Sequence, residues 1–295
     1  MGSTPQYRLV KTAKQNEGNM IDFVNFAKVH GLILNNSLVY DKWTATPTED
    51  HPRSSNGRYK FLGEVGWVIN WATMEKPVTW FADGKSASSK EVKDRIASSN
   101  NDRAELAKKA SSKAEWILSQ TSLDTHPYLE KKGFDAEQGN VWVKDDRKIL
   151  VIPMRFNNTL VGCQLIDDEG NKKFLHGQTS KGATFTIDAK GTPIFCEGYA
   201  TGLSVRNIMK QMNIPYKVYI CFSANNMEFV SRNIRDGIIV ADNDPNSIGE
   251  TTAKKTGKPY WISETVGEDF NDYHIRVGNF KASQSLKKLL LSLQT

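Results

Sequence analysis

From Gly191 onward the chain alternates short apolar runs with helical segments, and no other feature of the sequence constrains the fold as strongly. The runs Pro193 to Cys196, Lys217 to Phe222 and Gly237 to Ala241 have strand length, while Leu203 to Met212 and Met227 to Ile234 between them read as helices. Strands separated by helices are joined by crossovers, so they lie parallel and are covered on both faces. The class expected is α/β with a Rossmann-like parallel sheet. Ligands of such a sheet bind outside the carboxyl ends of its strands.

Acidic residues fall at those ends. Glu197 follows Ile194-Phe195-Cys196, and Asp242 and Asp244 follow Ile238-Ile239-Val240-Ala241. Acids at i and i+2 beyond a strand can point the same way into one crevice. Three carboxylates form a hard, oxygen-rich set suited to Mg²⁺ or Mn²⁺, with waters and substrate phosphates completing the coordination. Any one of them taken alone could instead cap the following helix, and that alternative stays open.

The rest of the chain divides by composition. Residues 1–83 hold a short helix, Ile21 to Val29, and then an aromatic-rich stretch with Trp43, Tyr59, Phe61, Trp67, Trp71, Trp80 and Phe81 between turn signals, which predicts a small antiparallel β unit. Residues 84–118 are rich in Ser, Lys, Ala, Asp and Glu and predict one or two exposed helices bridging the halves. In residues 119–188 the runs Lys148 to Met154 and Thr159 to Ile166 flank Asn157-Asn158, a hairpin signal, with a third strand at Lys172 to Leu175. After the parallel-sheet region, residues 189–280, comes a tail, 281–295, with Leu286, Leu289, Leu290 and Leu293 at helical spacing.

With 39 Lys and Arg against 33 Asp and Glu, the net charge is +6 and the pI near 9.0, which suits a phosphate-bearing partner. The three cysteines have no CxxC spacing, so neither a disulfide framework nor a zinc ribbon is readable. No stretch is long and apolar enough for a membrane span, and a cytoplasmic location without membrane partners is expected.

Several motifs, taken in order, resemble those of the Toprim domain in DNA primases of phage and plasmid type. They are Glu197-Gly198-Tyr199-Ala200-Thr201-Gly202-Leu203-Ser204, Phe222-Ser223-Ala224-Asn225-Asn226, Ala241-Asp242-Asn243-Asp244 and Glu268-Asp269-Phe270-Asn271-Asp272. Upstream, His126-Pro127-Tyr128-Leu129-Glu130-Lys131-Lys132-Gly133, Val151-Ile152-Pro153-Met154 and the stretch from Lys172 to Ala183 are similar to the basic subdomain that precedes Toprim in that family. The N-terminal module is similar to a zinc ribbon without its cysteines, since Pro47, Thr48 and Asn70-Trp71 stand where ligands are expected; no zinc is predicted.

The resemblance implies a DNA primase that copies single-stranded DNA into short RNA primers from nucleoside triphosphates during phage or plasmid replication. In it Glu197 would be the general acid/base or a metal-organising carboxylate, with Asp242 and Asp244 holding the cation. Asp269 and Asp272 would complete the pocket as second-metal ligands or orienting groups, for two ions in all. Arg155, Lys172, Lys173 and Lys181 would contact template or nucleotide, although a strand edge guarded by lysines is the alternative. In the N-terminal module Arg53, Arg58 and Lys60 are candidate template contacts beside the aromatics. No GxxxxGK[ST] motif occurs, so a replicative helicase is expected as a separate chain. A Toprim nuclease and a non-catalytic single-stranded-DNA-binding replisome module are the competing functions. Ser223 to Asn226 is expected to cap a helix, with an approach to phosphate as the other reading.

Overall fold

The computed structural model describes residues 18–35, 37–74, 76–82, 90–245 and 247–293. Residues 1–17, 84–89 and 294–295, which fall in the first, second and last of the sequence-defined segments, lie outside the described residues. The chain forms two compact units, Met1–Asp102 and Arg103–Thr295.

In the first unit, residues 18–29 form helix α1, followed by a four-stranded antiparallel sheet in the order β1-β2-β3-β4. Its strands are Thr44–Thr46, Gly57–Phe61, Val65–Asn70 and Val78–Phe81. The aromatics make the core: Phe23 stacks on Phe61 at 4.8 Å and meets Trp80 edge-on at 5.5 Å. Gly66 of β3 is required for that approach, because a Cβ there would come within 2.3 Å of the Phe23 ring. Trp43 and Trp71 stay about half exposed, whereas Tyr59, Phe61 and Trp80 are buried.

In the second unit, an antiparallel sheet runs β5 (Ser122–Asp124), β6 (Gly139–Lys144), β7 (Arg147–Phe156), β8 (Thr159–Ile166) and β9 (Lys172–Phe174), with the short helix α3 (Pro127–Lys131) after β5. Helix α2, Lys90–Ser119, whose residues from Arg103 on belong to this unit, is a single helix, within the one or two expected. It is not wholly exposed, since Ala110, Ala114 and Ile117 pack against Val151, Leu160, Cys163 and Leu175. Small residues on that face let the helix lie close to the sheet, and Ser111 donates to the Leu160 carbonyl at 2.7 Å.

The second sheet has the order β10-β12-β11-β13-β14 (Phe185–Lys190, Tyr216–Ile220, Thr192–Cys196, Ile238–Val240 and Tyr260–Trp261). β12, β11, β13 and β14 are parallel, and β10 pairs antiparallel with β12 at the edge. Alternate residues feed opposite faces. Ile194, Cys196, Ile238 and Val240 pack with helix α4 (Tyr199–Gln211) and helix α7 (Phe270–Leu291). Phe195, Ile239 and Ala241 pack with α5 (Ala224–Arg232) and α6 (Ile248–Thr256). Gly278, at φ +76°, interrupts α7, and the segment beyond it buries Leu286 while Leu293 stays partly exposed. From β11 the chain steps to β12 on one side and then to β13 on the other, so the strand order reverses at β11. The crevice beyond β11 and β13 is therefore the switch point at which α/β sheets bind ligands.

Candidate functional site

Glu197 leaves the end of β11 and Asp242 lies two residues beyond the end of β13, strands paired Cys196 to Val240. Gly249 at the start of α6 lies against the Asp242 backbone, where a Cβ would meet the Asp242 carbonyl at 2.1 Å. Asn243 fixes the same turn: its side chain donates to the Ser263 carbonyl at 2.9 Å and its carbonyl accepts from Gly267 N–H at 2.6 Å. Both acids keep an edge in solvent, yet Glu197 Oε1 and Asp242 Oδ1 are buried without a hydrogen-bond partner. Burial, and then the charges of Asp242 and Asp244, push the Glu197 carboxyl up to about 8 against the pull of the Ala224 amide and Lys172. Burial, then Asp269 and Asp244, push Asp242 up to about 7 against Lys172 and Lys132.

Burial and like charge outweigh Lys172 and Lys132 at this pair. A buried carboxylate without donors either takes up a proton or recruits a cation. Among the described residues no group of three or more His, Cys, Asp or Glu is placed to hold a metal ion. The donors that fit a hard divalent cation are thus two, Glu197 Oε1 and Asp242 Oδ1, with Asp244 electrostatically close. Mg²⁺ commonly takes one or two protein carboxylates and fills its other positions with water and substrate phosphate, so the residues present fit it.

Asp269 and Asp272 are engaged differently. Asp269 caps α7, its Oδ1 accepting from the Asp272 amide at 2.8 Å. Lys132 Nζ lies 2.8 Å from Asp272 Oδ1 and 3.6 Å from Asp269 Oδ2. Asn271 holds the lysine's backbone, donating at 3.0 Å both to the Lys132 carbonyl and to Ser204 Oγ. Neighbouring Glu268 is taken by Arg276 in two hydrogen bonds of 2.6 and 2.8 Å and also accepts from Ser263 Oγ.

The basic candidates separate. Lys172 on β9 acts on both Glu197 and Asp242, and its Nζ lies 5.8 Å from the centre of the Tyr128 ring. Lys173 is exposed on the same strand. Lys181 lies over the Phe229 ring at 4.6 Å, and Arg155 donates to the Asn158 carbonyl at 3.1 Å at the hairpin turn. In the first unit Arg53 is exposed, and Arg58 donates to the Ser55 and Gly57 carbonyls at 2.6 and 2.9 Å. Lys60 overturns its expectation as a template contact: it is 6% exposed and pairs with Asp41 at 3.0 Å. Its position in β2 turns the ammonium to a carboxylate of its own unit.

The cap reading of Ser223 agrees with the structure, since Ser223 Oγ accepts from the Asn226 amide at 3.3 Å. His126, too, is a local hydrogen-bonding residue, with Nδ1 accepting from Tyr128 N–H at 3.1 Å. Lys132, the Ala224 amide and Asn226 were not assigned from sequence. Lys132 stood within the quoted His126 to Gly133 motif, but its partner Asp272 lies 140 residues away.

Compared with known families and with curated proteins, the chain has no match. Two solved structures show a partial likeness. One is the bacteriophage T7 lagging-strand DNA polymerase interacting with primase domains of two gp4 subunits bound to an RNA/DNA hybrid and dTTP. There the identity is 14%, the coverage 57% of this chain and 86% of that one, and the TM-score 0.39. The other is the primase fragment of the bacteriophage T7 primase-helicase protein, at 13% identity, 55% and 68% coverage and a TM-score of 0.38. Likenesses at such TM-scores carry no argument about this chain. No helix among the described residues is long and apolar enough to cross a membrane.

Proposed function

We propose that the second unit is the Toprim catalytic core of a DNA primase, making RNA primers on single-stranded DNA by metal-dependent nucleotidyl transfer. The observation that carries this is the pair of buried, unpartnered carboxylate oxygens, Glu197 Oε1 and Asp242 Oδ1, at the switch point of a parallel sheet. The ordered motif resemblance supplies the reaction class. Glu197 and Asp242 would hold Mg²⁺ or Mn²⁺, which when bound neutralises phosphate charge and polarises the reacting oxygens.

The chain's own residues have distinct tasks in this reading. Asp244 adds the negative charge that keeps the pocket selective for cations. Glu197 would either organise the cation or accept the proton of an attacking 3′-hydroxyl as general base. Lys172 offsets the acids on the phosphate side, and Lys132 holds Asp269 and Asp272 so that their charge is partly neutralised. Lys173, Lys181 and Arg155 are the exposed cations left for template or triphosphate. A separate replicative helicase would be the partner.

Incubating the protein with single-stranded templates, labelled nucleoside triphosphates and Mg²⁺ or Mn²⁺ tests the reading. Short primers from the wild type and none from Glu197→Gln or Asp242→Asn are expected. Absence of primers from the wild type, or template degradation in their place, sinks it.

A further inference from the structure

Asn226 is fully used, and all but one of its contacts are made by its side chain to other segments. Its Nδ2 donates to the Ala183 and Cys221 carbonyls, both at 2.8 Å, and its Oδ1 accepts from the Gly182 amide at 2.7 Å. Only a carboxamide meets that demand, because two carbonyls need a double donor and one amide needs an acceptor beside it. An aspartate would set its oxygens against two carbonyl oxygens. The residue is 7% exposed, so its removal would leave three backbone groups without partners.

Each partner belongs to a segment that bears on the acidic crevice. Gly182 and Ala183 follow Lys181, and the next residue, Thr184, exchanges two backbone hydrogen bonds of 2.9 and 2.8 Å with Arg155. Gly182 needs its own left-handed backbone, φ +78°, and a Cβ there would come within 2.7 Å of Phe156. Cys221 precedes Phe222, a bulky residue held at φ +67°, a conformation that persists only when its surroundings enforce it. Phe222 N–H donates to the Glu197 carbonyl at 2.9 Å, and its ring meets Phe174 of β9 edge-on at 6.2 Å, two residues from Lys172. Asn226 itself lies in the first turn of α5, whose Ala224 amide favours the charged form of the Glu197 carboxyl.

We infer that Asn226 is a positioning residue that clamps the cationic loop carrying Lys181, and the Phe222 turn backing the Lys172 strand, at a fixed place beside Glu197. The inference rests on the proposed reading in that the ligand of these cations is taken to be a nucleoside triphosphate. The Asn226 side chain makes its hydrogen bonds to Gly182, Ala183 and Cys221 and none to β11 or β13, so it reaches the cation donors indirectly, through the Phe222 turn.

A double-mutant cycle on the full chain tests it, with a fluorescent nucleoside triphosphate as probe and Mn²⁺ affinity measured beside it. Asn226→Ala should weaken nucleotide binding about tenfold while Mn²⁺ affinity moves less than about twofold. Lys181→Ala should weaken nucleotide binding in the wild-type background and add nothing in the Asn226→Ala background. Additive losses, or equal losses of nucleotide and Mn²⁺, overturn the clamp. Should Asn226→Ala fail to fold, Gly182→Ala displaces the loop from its other side and takes its place in the cycle. Amide exchange across residues 181–184 needs no nucleotide: about a tenfold acceleration in Asn226→Ala but not in Lys181→Ala supports the clamp, and unchanged exchange overturns it. A wild type that binds no nucleotide therefore counts against the proposed function, while the exchange result still judges the clamp.

Discussion

Asp50 of the N-terminal unit and Glu197 of the parallel-sheet unit are both acids set in turns of folded β structure, and they are treated in opposite ways. Asp50 sits among polar side chains, Thr48, Asn70 and His51, that hold its carboxyl down at about 2; Asn70 donates to its Oδ1 at 3.1 Å and His51 Nδ1 lies 3.2 Å from its Oδ2. Glu197 and Asp242 have a buried oxygen each with no donor, and burial and mutual repulsion hold them up at about 8 and 7. In the first unit the Asn70–Asp50 hydrogen bond ties the loop after β1 to the end of β3. In the second the Glu197 and Asp242 oxygens are left open at the one place where an α/β sheet binds ligands. An anionic pocket kept at a cost in stability supports the proposed cation site.

The largest effect that can break this comparison is on catalysis. Glu197→Gln or Asp242→Asn should lower primer synthesis on the order of 10³-fold in a steady-state assay, as loss of a charge-stabilising group does in other enzymes. Exposed Lys173→Ala should lower it far less.

A stability effect of opposite sign comes next. Because the folded-state carboxyl of Glu197 titrates above the ordinary glutamate value of 4.5, the folded protein binds more protons than the unfolded chain between there and about 8. Stability therefore falls as pH rises through that window. In metal-free buffer at pH 8, Glu197→Gln should raise stability on the order of one to a few kcal/mol, allowing for solvent screening, and the gain should vanish toward pH 4. Chemical denaturation at the two pH values reads this. Adding Mn²⁺ should stabilise the wild type and not the variant.

Asn70→Ala is the counterpart in the satisfied region. Asn70 donates to Asp50 Oδ1 at 3.1 Å and accepts from the Ala72 amide at 3.0 Å, and it is buried. Its loss should cost about 1–3 kcal/mol in denaturation of the N-terminal unit, with no change in Mn²⁺ affinity. The smallest effect is that of Arg53→Ala. Exposed Arg53 should change stability by less than about 0.5 kcal/mol, and a fall of about one in the salt slope of template binding would mark it as a phosphate contact.

The comparison also explains what the sequence disclosed. β11, β12 and β13 were legible because β11 and β13 end in buried apolar runs and β12 alternates buried Tyr216, Val218 and Ile220, and the ends of β11 and β13 located Glu197 and Asp242. β10 and β14 were not: the one is an edge strand, Phe-Thr-Ile-Asp-Ala-Lys, and the other has two residues. α6, Ile-Gly-Glu-Thr-Thr-Ala-Lys-Lys-Thr, is too polar to show a helical stripe. In β2, sequence alternation could not reveal that Lys60 is buried, because its partner Asp41 lies in a loop. The clamp was hidden for the same reason, since Asn226 and Gly182 are 44 residues apart. Residues that terminate strands are written locally; residues that hold those ends in place are written in distant pairs.

The central claim is that the Glu197–Asp242 pair is a divalent-cation site, and an electron paramagnetic resonance titration of Mn²⁺ at pH 8 tests it most directly. The account predicts saturable binding to the wild type that is lost in Glu197→Gln and in Asp242→Asn, with both variants folded. Equal Mn²⁺ binding in all three proteins, or none in the wild type, would contradict it.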